Sequence, residues 1–349
     1  MRVFQLTENL LPGDAISDEA LALDTALRSL GYETKLFTAA DRVGRGAPSP
    51  HRLTQSLRED DLLLFHFSTG SSLNDLFAAC PCRRAIVYHN ITPAEYFDPW
   101  DARLADRCRM GREQLARIVP ELDLAVADSE YNAAELKRLG CGRVFVLPVL
   151  FDARRVRTEP DDKMLKRLSD GKKNLLFVGR KAPNKRIEEL MLAADYYAAG
   201  GRDVRLILCG DESLTRYCAA LRELRDKLKA EIVWLGRVSE SELAACYRAA
   251  DAFLCLSAHE GFCVPLTESM RFRVPIVAAK SSAVGETLGD AGLLLEEATL
   301  PAIARALDAV LFDENIRAEL LSAAEKRLAA FSPALVTAKL AAILRDLAD

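Results

Sequence analysis

The sequence predicts an α/β protein made of two successive doubly wound parallel sheets. Three observations predict it. Short β-rich apolar runs alternate with amphipathic stretches along most of the chain. These runs are apolar almost throughout, as strands covered on both faces must be. The alternation is interrupted once, by a charged segment from Asp152 to Lys173 that carries Pro160 and Gly171, and a chain of 349 residues suits two domains with a core each.

In order, Val3-Phe-Gln-Leu reads as a strand. Ala15 to Leu30 reads as a helix, because Leu21, Leu23, Ala26, Leu27 and Leu30 recur at helical spacing and Gly31 follows as a stop. Tyr32 to Phe37, Asp61 to Phe67, Ala85 to Tyr88, Leu122 to Ala127 and Phe145 to Leu147 read as further strands, most of them leading through a polar loop into a helix. A short helix is expected around Met164 to Leu168. The second series runs through strand 174–178, helix 185–199, strand 204–209, helix 214–229, strand 232–235, helix 240–249, strand 252–256, a helix from Pro265, strand 275–278 and a final set of helices. The expected domains are 1–151 and 152–331, with a last helix over 332–349.

Composition narrows the function. Half the residues are hydrophobic, 28% are charged, and the net charge is −4, so neither nucleic acid nor an anionic surface is attracted in general. The polar N-terminus argues against a signal peptide, and no apolar run approaches ~20 residues, so a cytoplasmic protein is expected, with membrane contact at most peripheral. Nine cysteines are scattered, mostly in apolar runs, and Cys80-Pro-Cys82 lacks the spacing of a zinc or redox site. Residues 101–117 concentrate arginine, which reads either as a solvated helix face or as a basic face for a charged or lipid-linked acceptor.

Two segments can carry chemistry. Phe177-Val-Gly-Arg180-Lys-Ala-Pro-Asn-Lys185-Arg186 leaves a buried strand and enters a helix. Two cations at a strand's carboxyl end and a helix's amino end suit a diphosphate, and a solvated basic loop is the plainer alternative. In Glu260-Gly-Phe-Cys-Val-Pro-Leu-Thr-Glu268, Gly261 permits close backbone approach, and Pro265 suits the first helical position. Glu268 is explained by the macrodipole of a helix start; Glu260, before a Gly-Phe turn, is not. His89 and His66 each stand at a strand end.

Taken together, Glu260, the Gly-Phe turn, Pro265 and Glu268 resemble the Glu-x7-Glu motif of family-four retaining glycosyltransferases (glycosyl transferases group 1). Strand-Gly-Arg180 with Lys185 resembles that family's phosphate-binding motif, and Leu235-Gly-Arg-Val-Ser with Leu243, Tyr247 and Asp251 fits between the two. The resemblance implies the GT-B architecture, two facing Rossmann-like domains with a cleft between them. It implies that Arg180 and Lys185 hold the donor diphosphate, that Glu260 bonds the transferred sugar, that backbone N–H groups around Gly261, Phe262, Cys263 and Val264 meet sugar or phosphate oxygens, and that Glu268 binds ribose. Cys263 replaces the small or aliphatic residue usual in the family. In the first domain the resemblance implies a glycine loop at Gly13 and Asp14, a histidine near the reacting sugar at His89 with Asn90 beside it, and a closing loop at Asp128 and Ser129. The last helix is implied to cross back to the first domain.

The chain has no Asp-x-Asp metal pair. With Arg180 and Lys185 neutralising the leaving group, no metal and no cofactor are expected. The predicted reaction is retaining transfer of a hexose, mannose or glucose, from a nucleoside-diphosphate sugar to a glycan, lipid-linked or small-molecule acceptor in glycoconjugate or polysaccharide biosynthesis. Alternatives are a non-catalytic sugar-nucleotide-binding protein of the same fold and a GT-B epimerase or phosphorylase. A nicotinamide oxidoreductase is disfavoured, because the first βα turn lacks Gly-x-Gly-x-x-Gly.

Overall fold

The computed structural model describes residues 1–53, 55–150 and 158–348. The expected domain boundary at 151/152 and the first part of the expected linker lie outside the described residues. The described chain divides into two compact units, the first from residues 1–95, 103–150 and 331–348, the second from residues 96–102 and 158–330.

Unit 1 contains β1 (Val3–Leu10), α1 (Ala15–Ser29), β2 (Thr34–Asp41), β3 (Leu62–Phe67), α2 (Ser72–Ala78), β4 (Arg83–Tyr88), α3 (Ala102–Ile118), β5 (Leu124–Ala127), α4 (Glu130–Arg138) and β6 (Val144–Val146). Its sheet is parallel, in the order β2-β1-β3-β4-β5-β6. The strand order reverses between β1 and β3, which makes their carboxyl ends the natural ligand crevice of this unit. β3, Leu-Leu-Leu-Phe-His-Phe, is buried at every position, and its one polar residue, His66, needs an internal partner.

Unit 2 contains α5 (Asp162–Leu168), β7 (Lys173–Val178), α6 (Ile187–Ala199), β8 (Val204–Cys209), α7 (Thr215–Arg225), β9 (Glu231–Leu235), α8 (Glu240–Ala249), β10 (Ala252–Cys255), α9 (Val264–Arg271), β11 (Ile276–Ala279), α10 (Val284–Leu288), β12 (Leu293–Leu295), α11 (Leu300–Phe312) and α12 (Glu314–Ala329). The order β12-β11-β10-β7-β8-β9 is again parallel and reverses between β7 and β10. The final helix, α13 (Pro333–Ala348), belongs to unit 1, where Val336, Leu340, Ile343, Leu344 and Leu347 join a core with Val3, Leu27, Leu62 and Val126.

Several local expectations shift. The helix expected from residue 185 starts at Ile187, because Pro183–Lys185 forms a 3-10 turn and Arg186 adopts a left-handed φ of 51°. The helix expected from Pro265 starts one residue earlier, and its N-cap, Cys263, is left-handed at φ 73°. Strand β12 was not expected; three leucines after Gly292 give too short a run to signal a strand. One helical stretch, Glu314–Leu347, is apolar and long enough by composition to cross a membrane, against the expectation of none. It comprises α12 and α13, and the apolar side chains of α13 serve the unit 1 core.

Candidate active site

Each unit gathers charge at the carboxyl ends of its strands. In unit 2, neighbouring strands β7 and β10 bring together two segments that are 75 residues apart in sequence. The turn after β7 carries Arg180 and Lys185; the loop after β10 carries Glu260. Ala258 N–H donates to the Asn184 carbonyl at 2.8 Å, and Asn184 Nδ2 donates to the His259 carbonyl at 3.1 Å. These bonds fasten the loop to the turn. Lys185 Nζ then lies 2.5 Å from Glu260 Oε2, with side chains 19% and 10% exposed. Glu260 is also held from its backbone, whose N–H donates to Ser282 Oγ at 2.7 Å. A carboxylate fixed in this way beside a partly exposed ammonium can meet a sugar hydroxyl while the ammonium meets a phosphate.

A fully buried lysine props the phosphate turn. Lys181 Nζ donates to the carbonyls of Gly210 (3.0 Å), just after β8, and Leu235 (2.5 Å), the last residue of β9, and stands 3.6 Å from Glu212 Oε1. Its ammonium also lies 4.9 Å from the centre of the Trp234 ring. Burial lowers its pKa, while Glu212 opposes that effect. The packing here is close: a side chain at Gly210, which has φ 138°, would place Cβ 2.1 Å from the Gly179 carbonyl oxygen. The sequence reading took Arg180 and Lys185 from this stretch and passed over Lys181. Arg180 is exposed, with its guanidinium carbon 5.7 Å from the centre of the Phe97 ring within the same unit.

Glu268 is buried on α9 and accepts a hydrogen bond from Tyr247 Oη at 2.8 Å. Burial, and then the Glu268 charge, push the Tyr247 pKa well above its ordinary value, so the phenol stays a donor. A carboxylate accepts about four hydrogen bonds, so Tyr247 orients Glu268 without exhausting it. The turn between the two glutamates is anchored by Thr287 Oγ1, which donates to the Phe262 carbonyl at 2.6 Å. Cys263 Sγ lies 3.9 Å from Cys255 Sγ, and both thiols are buried. Cys255, Glu260 and Cys263 bring three potential metal-donor atoms within 4.8 Å of one another. Glu260 Oε2 is already paired with Lys185, so the set reads as a packed thiol pair beside an ion pair. Val264 opens α9.

In unit 1, Gly13 turns the chain at φ 71° after β1, and Asp14 caps α1, accepting from Ser17 N–H at 3.0 Å and Ser17 Oγ–H at 2.8 Å. Ser129 caps α4, and Asn90 (φ 69°) donates to Asn132 Oδ1 at 2.7 Å. Each of these four residues therefore has a local structural task.

His89 does more. Its Nδ1 is 3.1 Å from Asp128 Oδ2 and 3.4 Å from Glu19 Oε2, and its Nε2 is 3.0 Å from His66 Nδ1. His66 Nε2 in turn lies 2.9 Å from Gln5 Oε1. Burial, and then the charge on His89, hold His66 well below the ordinary histidine range. Burial alone would lower His89, but Asp128, Glu19 and Asp14 outweigh it and raise its pKa to about 9. Burial and then Asp128 raise Glu19 to about 8. Glu19, His89 and Asp128 could also serve as metal donors by spacing, but their direct N–O contacts are those of a hydrogen-bonded ion-pair cluster. The sequence reading singled out His66, His89 and Asp128 and missed Glu19. One signal was present: Glu19 sits on the same stripe of α1 as Leu23, Ala26 and Leu27, an odd place for a carboxylate.

The basic helix is largely neutralised. Arg107 pairs with Glu8, Arg109 with Asp106, Arg112 with Glu135 and Arg117 with Asp75. That arrangement favours the solvated-face reading of residues 101–117.

The family model described as glycosyl transferases group 1 matches residues 160–327, which contain both halves of the unit 2 site. A D-inositol 3-phosphate glycosyltransferase from Corynebacterium glutamicum is 32% identical over 50% of this chain and 43% of its own length. A GDP-mannose-dependent alpha-mannosyltransferase from Mycobacterium tuberculosis is 27% identical over 76% of this chain and 67% of its own. In the first three curated relatives the match spans less than half of the relative's length. Among solved structures, Anabaena HepE in complex with UDP-glucose superposes with a TM-score of 0.76 at 18% identity, covering 99% of this chain and 100% of that one. Sucrose-phosphate synthase from Thermosynechococcus elongatus gives 0.74 at 18%, covering 99% of each. The fold is thus of the GT-B type, and its second unit matches the group 1 glycosyl transferases over residues 160–327.

Proposed function

We propose that the chain is a retaining, metal-independent hexosyltransferase that uses a nucleoside-diphosphate sugar, with mannose the first hexose to test. The observation that carries the reading is the Lys185–Glu260 pair at the β7/β10 reversal of unit 2, where a phosphate-type turn is bonded directly to a sugar-type carboxylate. Support for mannose comes from the relatives, several of which are mannosyltransferases. Support for a nucleotide-sugar donor comes from the UDP-glucose complex of the structural neighbour HepE.

In this reading Arg180 and Lys185 bind the donor diphosphate and stabilise the charge that develops on it as the glycosidic bond breaks. Because these cations do the neutralising, no divalent ion is required at the diphosphate. Glu260 orients the sugar hydroxyls and supports positive charge near the anomeric carbon. Glu268, set by Tyr247, takes the ribose hydroxyls. The acceptor is a glycan, a lipid-linked sugar or a small molecule, and the product belongs to glycoconjugate or polysaccharide biosynthesis. Contact with a membrane is peripheral at most, and the protein works in the cytoplasm. A panel of GDP-mannose, UDP-glucose, UDP-galactose and UDP-N-acetylglucosamine, scored by binding and by slow donor hydrolysis, tests the claim. Binding of one donor with release of its nucleoside diphosphate is expected, and binding of none overturns it. Anomeric configuration of the transfer product tests retention, and activity in excess chelator tests metal independence.

A further inference from the structure

The buried polar chain of unit 1 has a proton order that can be read from its geometry. Gln5 Nε2 donates to the Ala20 carbonyl at 3.2 Å, so its Oε1 is the end that meets His66. An amide oxygen only accepts, so His66 Nε2 carries the hydrogen, and neutral His66 offers a lone pair at Nδ1. His89 Nε2 must therefore donate across the 3.0 Å contact. On the other side, His89 Nδ1 faces the Asp128 and Glu19 carboxyl oxygens at 3.1 and 3.4 Å. The nearer of the two, the Asp128 carboxylate oxygen at 3.1 Å, can only accept, so Nδ1 is protonated as well. The two imidazoles have planes 4° apart and centroids 5.3 Å apart, the geometry of coplanar rings joined edge to edge by a hydrogen bond. Both nitrogens of His89 are thus engaged inside the protein, and His89 is a cation.

One carboxylate, Asp128, suffices to balance one imidazolium. Glu19 is therefore a second, surplus acid. Its side chain is 1% exposed, its Oε1 has no hydrogen-bond partner, and the same holds for Asp128 Oδ1. A buried, half-satisfied carboxyl on an otherwise apolar helix stripe costs stability, which a hydrogen bond from the Leu150 backbone N–H offsets only in part.

We propose that Glu19 is a positioning residue for His89: from α1 it holds the His89 ring, with Asp128, in the doubly protonated state that the transfer reaction uses. The proposal rests on the role of His89 near the reacting sugar implied by the family resemblance. The groups that face His89 are Asp14 before α1, Glu19 on α1, His66 on β3 and Asp128 after β5, with Gln5 on β1 behind His66. Below about pH 8 Glu19 is itself protonated and acts as a neutral wall. Above that it ionises, and its charge keeps the proton on His89 where a single carboxylate would begin to lose it. Without Glu19, the cationic state of His89 should fail at lower pH.

The test uses Glu19→Gln, an isostere of the protonated acid, and Glu19→Asp, which restores the charge. The chain has only four histidines, so each ring can be assigned by single substitution in the full-length, 15N-histidine-labelled protein. Long-range 1H–15N spectra should show both His89 nitrogens protonated at pH 7.5 in the wild type. The His89 titration midpoint should fall by roughly one pH unit in Glu19→Gln, a typical effect of removing one nearby charge, and recover in Glu19→Asp. With an acceptor, the kcat deficit of Glu19→Gln should widen from near none at pH 6.5 to roughly threefold at pH 8.5, the loss of protonated His89 that a one-unit drop of its midpoint from about 9 produces there, with donor KM unchanged. A neutral His89 at pH 7.5, an unmoved midpoint in Glu19→Gln, or a deficit that is constant with pH overturns the proposal. If the spectra behave as expected and the wild type transfers no sugar from any donor, the functional reading fails instead, so the two failures are distinguishable.

Discussion

The two units place charge at the ends of their parallel sheets in opposite ways. In unit 2 the key pair, Lys185 and Glu260, is one cation and one anion, each partly exposed, so an incoming ligand can part them and bond to both. In unit 1 the Glu19, His89 and Asp128 side chains are 1%, 5% and 4% exposed, and every His89 nitrogen is taken. The first arrangement leaves both charges within reach of a ligand. The second is closed and acts through the charge state of a ring. A carboxylate's exposure and its partner therefore say more about its role than its presence in a motif.

The largest expected effect breaks the open pair on the anion side. Glu260→Ala should lower kcat by on the order of 1,000-fold, the scale seen when one charge-stabilising group is removed. Nucleoside-diphosphate affinity, measured calorimetrically, should stay within a few-fold. Lys185→Ala attacks the same pair from the cation side. It removes a charge-assisted bond to phosphate and strands Glu260 as an unpaired anion nearby, so diphosphate binding should weaken roughly 10- to 100-fold. Equal losses of nucleotide affinity in the two variants would contradict the division between a phosphate residue and a sugar residue.

A third substitution asks whether unit 2 is held open from behind. Lys181→Met deletes the ammonium that ties Gly210 and Leu235 carbonyls together and leaves both oxygens buried without it. Unfolding free energy from urea titration should fall by roughly 2–4 kcal/mol. A change below about 1 kcal/mol would mean that water replaces the ammonium, and that the lysine is not the prop it is described as.

How much of this was legible in the sequence follows the same contrast. Both sheets, β12 excepted, could be read from apolar runs, because strands covered on two faces have few polar positions to confuse the pattern. The unit 2 site was legible because its residues cluster in two short segments that leave adjacent strands, so spacing reports proximity. Unit 1 was harder. Glu19, His66, His89 and Asp128 come from four elements, and only folding in the order β2-β1-β3-β4-β5-β6 brings them together. Glu19 sits one residue after the first-turn acid Asp18, so only its place on the stripe with Leu23, Ala26 and Leu27 set it apart. The left-handed Cys263 and Arg186 were also invisible, since neither residue type announces positive φ, and each moved a helix start by one or two residues.

The closed cluster should show itself in stability against pH. His89 has a folded pKa of about 9, above its unfolded value, so its contribution is full below about pH 6.5 and is lost as pH rises toward 9. Glu19 works in the same direction. Its folded pKa of about 8 lies above that of an unfolded carboxyl, so the folded form holds a proton that the unfolded chain releases, and stability falls between about pH 4.5 and 8. Urea midpoints should therefore decline from pH 6.5 to pH 9. In Glu19→Gln the decline should be shallower between pH 6.5 and 8, because the residue no longer titrates. A rising midpoint over this range would mean that the cluster is not charged as its contacts imply.

The smallest effect concerns the one carboxylate of unit 2 that resembles unit 1. Glu268 is buried and bonded to Tyr247, yet its assigned role is to meet a ligand. Tyr247→Phe keeps the ring stacking on Phe272, whose plane lies 3° from that of Tyr247, and removes only the hydroxyl. The carboxylate then loses a donor in a buried place, which should cost about 1–2 kcal/mol in stability. If Glu268 serves ribose, added nucleoside diphosphate should recover part of that loss, because the ribose hydroxyls supply the missing donors. The variant's thermal midpoint should then rise more on adding nucleotide than the wild type's does. An equal rise in both would make Glu268 a structural carboxylate only, leaving Glu260 as the one acid of this segment that a ligand reaches.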